Sequence, residues 1–173
     1  KEVSRVAKAM GWNDFDIIYE NQEKHLRLDA IPQRELIAKI EREGALSLDS
    51  LKPDIIAIPA PSYNQDHLAA YQACFTALRI HAGGAKHSPE TVLVYDSPTL
   101  YWCHPGTEFH PNFYVDISDY LEEKLKVVRL YASQQRDPLD PCSVDNLRDQ
   151  AHMRGREVGK KACEAYMTFR MVV

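Results

Sequence analysis

The sequence predicts an α/β fold: a three-layer, Rossmann-like, mostly parallel sheet with helices on both faces. Three observations predict it. DIIAIP (54–59) and TVLVYD (91–96) are apolar runs without alternation, as expected of strands covered on both faces in a parallel sheet. Stretches with helical spacing of apolar residues alternate with such runs. The 173 residues hold no internal repeat, low-complexity tract or linker, so a single domain spanning 1–173 is expected, long enough to bury a core.

Each element has its own justification. Val3, Val6, Ala7 and Met10 fall at i, i+3, i+4 and i+7, one helical stripe, and Gly11 follows where a C-terminal cap belongs. FDIIY (15–19) reads as a short buried strand, and the polar ENQEKHLRLDA as a loop. Pro32 suits the first turn of a helix whose face Leu36, Ile37 and Ile40 continue to about Glu43. EGALSLDSLKP reads equally as more helix or as loop. After the strand DIIAIP, a helix runs from about Asp66 to Ile80, and the paired glycines of HAGGAKHSPE make a surface loop. After TVLVYD, the sixteen residues SPTLYWCHPGTEFHPN are too long for an idle connection and are expected to cover something. FYVDIS is extended. Ser118 is expected to cap the helix DYLEEKLKVVRLYAS, and Ser143 to open a long helix through about Ala165 in which Gly155 and Gly159 permit close approach of another backbone. TFRMVV closes the chain as a strand.

Composition excludes several functions. The net charge is −4 with acids and bases interspersed, which gives no basic footprint for nucleic acid and no polybasic membrane anchor. No apolar run approaches the roughly 20 residues that span a bilayer. KEVSRVAKAM reads as helix rather than as a signal peptide. Cys74, Cys103, Cys142 and Cys163 lack paired spacing, as expected of reduced thiols in a cytoplasmic protein. There is no GxSxG elbow and no cysteine with a convincing histidine partner, which argues against a serine or cysteine nucleophile.

The chemistry-bearing residues concentrate in PSYNQDH (61–67), at the carboxyl end of the strand DIIAIP, where open α/β sheets place their ligands. Two accounts of this knot stand side by side. In one it is an ordinary strand-to-helix turn, with Asn64 as N-cap and Asp66 favouring the positive helix end. In the other His67 is a metal ligand on the first helical turn, with Asp66 beside it as an orienting or proton-handling carboxylate. One histidine cannot hold zinc, which takes three protein ligands and a water in catalytic sites. His25, His81 and His87 fall in polar loops and His152 on a helix. His104 and His110 are better placed, on the long loop over the same crevice, but without metal-ligand spacing.

Five segments in order resemble the LmbE-like (PIG-L) zinc-dependent N-deacetylases: KEVSRVAKAMGW, LKPDIIAIPAPSYNQDHLAAYQA, VLVYDSPTLYW, FHPNFYVDISDYLEEKLKVVRLYASQ and RGREVGKKACEAYMTFRMV. The resemblance implies Zn2+, or another divalent ion, and removal of an acetyl group from an N-acetylglucosamine-type sugar or glycoconjugate by attack of zinc-bound water on the amide. It matches His67 to a zinc ligand and Asp66 to the adjoining catalytic carboxylate. Asn64 stands where many members carry an oxyanion-stabilising histidine; an amide donates a neutral hydrogen bond there but carries no charge. Ser97, Asn112 and Arg170 are the candidate substrate-binding residues, and Tyr101, Trp102 and Tyr114 candidate platforms for a sugar face. A homo-oligomer is left open.

The family's Ala-His-Pro-Asp-Asp-Glu motif, which supplies two zinc ligands and the general base, has no match here. The expectation is that it and the first strand precede Lys1, since a sheet without that strand would expose an edge and apolar helix faces. The rival expectation is a non-catalytic homologue with the same fold, no metal, and a binding or assembly role.

Overall fold

The computed structural model describes residues 1–20, 26–80, 86–100, 102 and 106–173. Of the residues singled out above, His25, His81, Tyr101, Cys103 and His104 lie outside these. The described chain divides into two compact units, one of residues 1–15 and 111–165, the other of residues 16–110 and 166–173.

In the first unit α1 (Glu2–Met10) packs on α5 (Leu121–Val128), which in turn packs on α6 (Val144–Glu157). Gly11 ends α1 at φ 67, a left-handed cap that only glycine adopts without strain. Leu121, Leu125, Ala151 and Ala162 form the buried cluster with Ile117. Ser143 caps α6 by accepting from the Asn146 amide at 3.1 Å. Ser118 does not cap α5: its hydroxyl donates to Asp116 Oδ1 and accepts from Ala162 N–H, while Tyr120 starts the helix with no side-chain cap. The hydroxyl oxygen, which a cap would offer to the first amides of the helix, accepts from the Ala162 amide instead. The helix expected to reach Ala165 stops at Glu157. There Gly155 lets the returning chain fold back, since a Cβ would meet Ala162 N and Lys160 O at 2.7 Å.

The second unit contains α2 (Gln33–Ala38), a π-helical turn (Lys39–Glu43), α3 (Leu48–Leu51), β1 (Ile55–Pro59), α4 (Gln65–Ala77) and β2 (Thr91–Tyr95). Its core gathers Leu48, Ile58, Ala77, Val92, Val94 and Leu100. Ser47 caps α3, which resolves EGALSLDSLKP as a short separate helix. FDIIY is not a strand. It pairs with no neighbour in the described sheet, and Phe15, Ile17 and Ile18 are exposed; β propensity without a partner strand does not make a strand. β3 (Phe113–Asp116) belongs to the first unit, and β4 (Cys163–Met171) runs through both.

The strands form one sheet in the order β1-β2-β4-β3. β1 and β2 are parallel, pairing Ile55 with Thr91 through Pro59 with Tyr95. β2 and β4 are antiparallel, with a register shift between Val92 and Leu93. The expected mostly parallel sheet is therefore corrected: one parallel pair survives, and the closing strand runs the other way. An apolar run reports burial on both faces but not the direction of its neighbour, so the antiparallel return of β4 is not written in the pattern. Among the described residues no helix is long and apolar enough to cross a membrane.

Candidate active site at the end of β1

The parallel pairing of β1 and β2 sends both strands' carboxyl ends the same way. Loop 60–64, after β1, and the segment from Asp96, after β2, leave from that end. α4 begins there because Asn64 is a strong N-cap: its Oδ1 accepts from the amides of Asp66 at 2.9 Å and His67 at 3.3 Å. This sets His67 on the first turn, exposed, with Ser62 Oγ 3.2 Å from its Nδ1. When Nδ1–H donates to the buried Ser62 hydroxyl, Nε2 presents its lone pair outward. That is the tautomer and the kind of orienting partner a metal-bound imidazole has.

Asp66 is fully engaged. Its Oδ2 accepts from Leu26 N at 2.7 Å and its Oδ1 from Leu28 N at 2.8 Å, while Gln65 Nε2 donates to Leu26 O at 3.3 Å. Leu26 is held at φ 55, a left-handed conformation disfavoured for a branched side chain, and these three bonds over-determine it. The carboxylate thus ties segment 26–28 to the start of α4. No proton-transfer role is visible in these bonds.

The remaining expected site residues are scattered. Ser97 lies just beyond β2, in a turn where its amide donates to Asp96 Oδ1 at 2.8 Å and its hydroxyl pairs with Thr99 Oγ1 at 3.1 Å. Trp102 is 70% exposed. Asn112, exposed, precedes β3 in the first unit, where Tyr114 donates to Glu157 at 2.8 Å. Arg170 is at the wrong end of the sheet: it pairs with Val92 near the start of β2, and its guanidinium donates to Pro89 O at 2.9 Å and Leu78 O at 3.2 Å. Its Nη2 is buried without a partner among the described residues. His87 Nε2 lies 2.8 Å from Pro53 O rather than in solvent. Burial pushes the Cys74 thiol up to about 11, and raises Cys142 and Cys163 too, so none of the three is a ready thiolate nucleophile.

Sequence reasoning missed Ser62 and the Leu26–Leu28 amides. A serine between two prolines and a tyrosine was a readable hint of a fixed loop; backbone donors 38 and 40 residues from Asp66 were not. Among the described residues no three His, Cys, Asp or Glu side chains are grouped so as to hold a metal ion. They do not make a complete zinc site by themselves.

No protein-family model matches the chain. Solved structures share its fold. A conserved protein, TT1542, from Thermus thermophilus matches at TM-score 0.75 and 22% identity, over 100% of this chain and 73% of the other. An N,N'-diacetylchitobiose deacetylase from Pyrococcus horikoshii matches at 0.65 and 19%, over 97% and 61%. The 4-carboxy-2-hydroxymuconate hydratase GalB from Pseudomonas putida matches at 0.58 and 14%, over 99% and 71%. The chain thus has the fold of a deacetylase and of a hydratase, and spans about three fifths of the deacetylase's length.

Proposed function

We propose that the protein is a metal-dependent hydrolase that removes the acetyl group from an N-acetylglucosamine-type sugar or glycoconjugate, with His67 as one ligand of a divalent ion, Zn2+ first among the candidates. The observation that carries this reading is the imidazole itself, exposed on a capped helical turn at the strand's carboxyl end, tethered at Nδ1 and with no partner at Nε2 among the described residues. The neighbour named as a chitobiose deacetylase supports the acetylated-sugar class. The neighbour named as a hydratase is a reminder that one fold hosts several reactions, so the site has to carry the argument.

The remaining ligands and the general base come from outside the described residues. β1 offers them a place: it is a terminal strand of the sheet, with Ala57 exposed and Ile55 65% exposed. A further strand bearing the His-Pro-Asp-Asp-Glu motif would pair along that edge and cover this apolar surface. A bound divalent ion supplies Lewis acidity toward the amide carbonyl and acidifies a water. The chain's own residues position. His67 holds its ligand nitrogen in place; Asn64 Nδ2, which has no partner among the described residues, is available to donate to the oxyanion. Asp66 acts through the loop it anchors. Ser97 and the exposed Trp102 ring are the candidates for sugar contact, whereas Arg170 serves its carbonyl clamp.

The test is His67→Ala in the full-length protein, read by metal content and by acetate released from N-acetylated sugars. Survival of both would overturn the assignment. A second reading, a non-catalytic binding module on the same fold, is favoured by the engagement of both Asp66 oxygens and of Asn64 Oδ1 in backbone bonds. It predicts no stoichiometric metal in the purified full-length protein.

A further inference from the structure

A groove of about 580 Å³ lies in the second unit between the segment 28–36 and the outer face of α4, within the size range of small-molecule sites. Its apolar surface comes from Leu28, Ile31, Leu36, Leu68 and Ala69. On α4 the spacing is helical: Gln65, Leu68, Ala69 and Gln72 fall at i, i+3, i+4 and i+7, so one face of the helix forms one wall. Gln33, Gln65 and Gln72 supply the carboxamides, and Asp29 is the only charged group in the lining. Gln65 keeps its Oε1 open while its Nε2 is bonded to Leu26 O, and Gln33 and Gln72 have no partner among the described residues.

The chemistry of this lining selects its ligand. Each carboxamide offers a donor and an acceptor without charge, which matches a hydroxyl group, itself both donor and acceptor. An anion would meet Asp29 and no Lys or Arg in the lining, so it is disfavoured. An apolar strip between polar groups matches a ring with hydroxyls at its rim and C–H bonds on its face. We propose that this groove binds a neutral hydroxylated ring, of the hexopyranose class, seated on Leu68 and Ala69 and hydrogen-bonded by Gln33, Gln65 and Gln72. The site is separate from His67, which does not line it, and needs no metal. It shares one wall with the anchored loop, because Leu28 lines the groove and its amide is held by Asp66.

The experiment is saturation-transfer NMR on the full-length protein, with methyl β-glucopyranoside and, as the anionic match, glucuronate. The neutral sugar is expected to show saturable binding, and glucuronate to bind more weakly. Gln72→Ala and Gln33→Ala, both at exposed positions, are each expected to weaken the neutral sugar about fivefold, the loss of one neutral hydrogen bond. Ala69→Phe, checked for an unchanged circular dichroism spectrum, is expected to abolish the signal. Absence of binding, equal binding of glucuronate, or a signal that survives Ala69→Phe would overturn the site. His67→Ala separates this proposal from the hydrolase reading. The groove signal is expected to persist in that variant, and its loss there would move the sugar to the His67 end and sink the groove.

Discussion

The two ends of the parallel strands carry two polar clusters of opposite character. At the amino ends Glu41, 3% exposed, accepts from Lys86 at 2.6 Å and Arg79 at 3.0 Å, and Arg170 reaches two carbonyls. Burial opposes ionisation of Glu41, but the Lys86 hydrogen bond and charge, with Arg79, outweigh it and hold the carboxyl below its ordinary value. At the carboxyl ends Asn64 Oδ1 and both Asp66 oxygens likewise accept backbone amides, yet Nε2 of the exposed His67 has no partner among the described residues. Charge and polarity therefore do not distinguish a site from a strut. A cluster closed on itself holds the fold, and one that leaves a directed atom open can act on something else.

Five substitutions would break or sharpen this contrast. The largest effect is expected at His67. Deacetylation by the full-length protein should fall by at least about 100-fold in His67→Ala, with the melting temperature little changed. Ser62→Ala, which removes only the partner at Nδ1, should cost about tenfold, the loss that follows removal of an orienting partner from a metal-bound histidine. If Ser62→Ala instead costs stability and leaves kcat untouched, the hydroxyl belongs to the turn.

Glu41→Gln should reverse the pattern, leaving His67 chemistry intact and lowering stability by about 2 kcal/mol. That is less than for a fully buried pair, because Arg79 and Lys86 reach solvent. The sign of its pH dependence follows from the lowered pKa. Stabilisation by Glu41 is fully present above its ordinary value of 4.5 and is lost as pH falls through the lower folded value. Urea midpoints of the parent and of Glu41→Gln should therefore differ at pH 7 and converge in acid; a constant gap would remove the charge from the account.

Asn64→Ala should cost about 1 kcal/mol through the lost cap, read by thermal unfolding. Smallest of all, Leu26→Gly should stabilise by less than about 1 kcal/mol, since relief of the positive φ is partly offset by the freer unfolded chain. A clear loss on that substitution would mean that the Leu26 side chain, rather than the backbone held by Asp66, is what matters.

Much of this is legible in the chain. The apolar runs at 54–59 and 91–96, the cap at Asn64 and the placement of His67 at a strand's exit all follow from local pattern, and all appear. What escapes depends on partners remote in sequence. FDIIY has strand composition but no neighbour to bond with. Ser118 has a capping side chain, yet the Ala162 amide, remote in the chain, claims its oxygen. Arg170 reads as a substrate contact until the register of β4 sets it beside Val92. Asp66 reads as chemistry in sequence because its claimants, Leu26 and Leu28, announce themselves only through backbone amides.

The π-helical turn at Lys39–Glu43 follows α2 directly and carries the helix to its end at Gly44. Each residue advances an ordinary helix by about 100°, so deleting Lys39 or Ile40 would swing Glu41 out of its nest and bring a neighbour in. The length of this turn is therefore as much a part of the fold's specification as any side chain in it, and point substitutions alone would never reveal it.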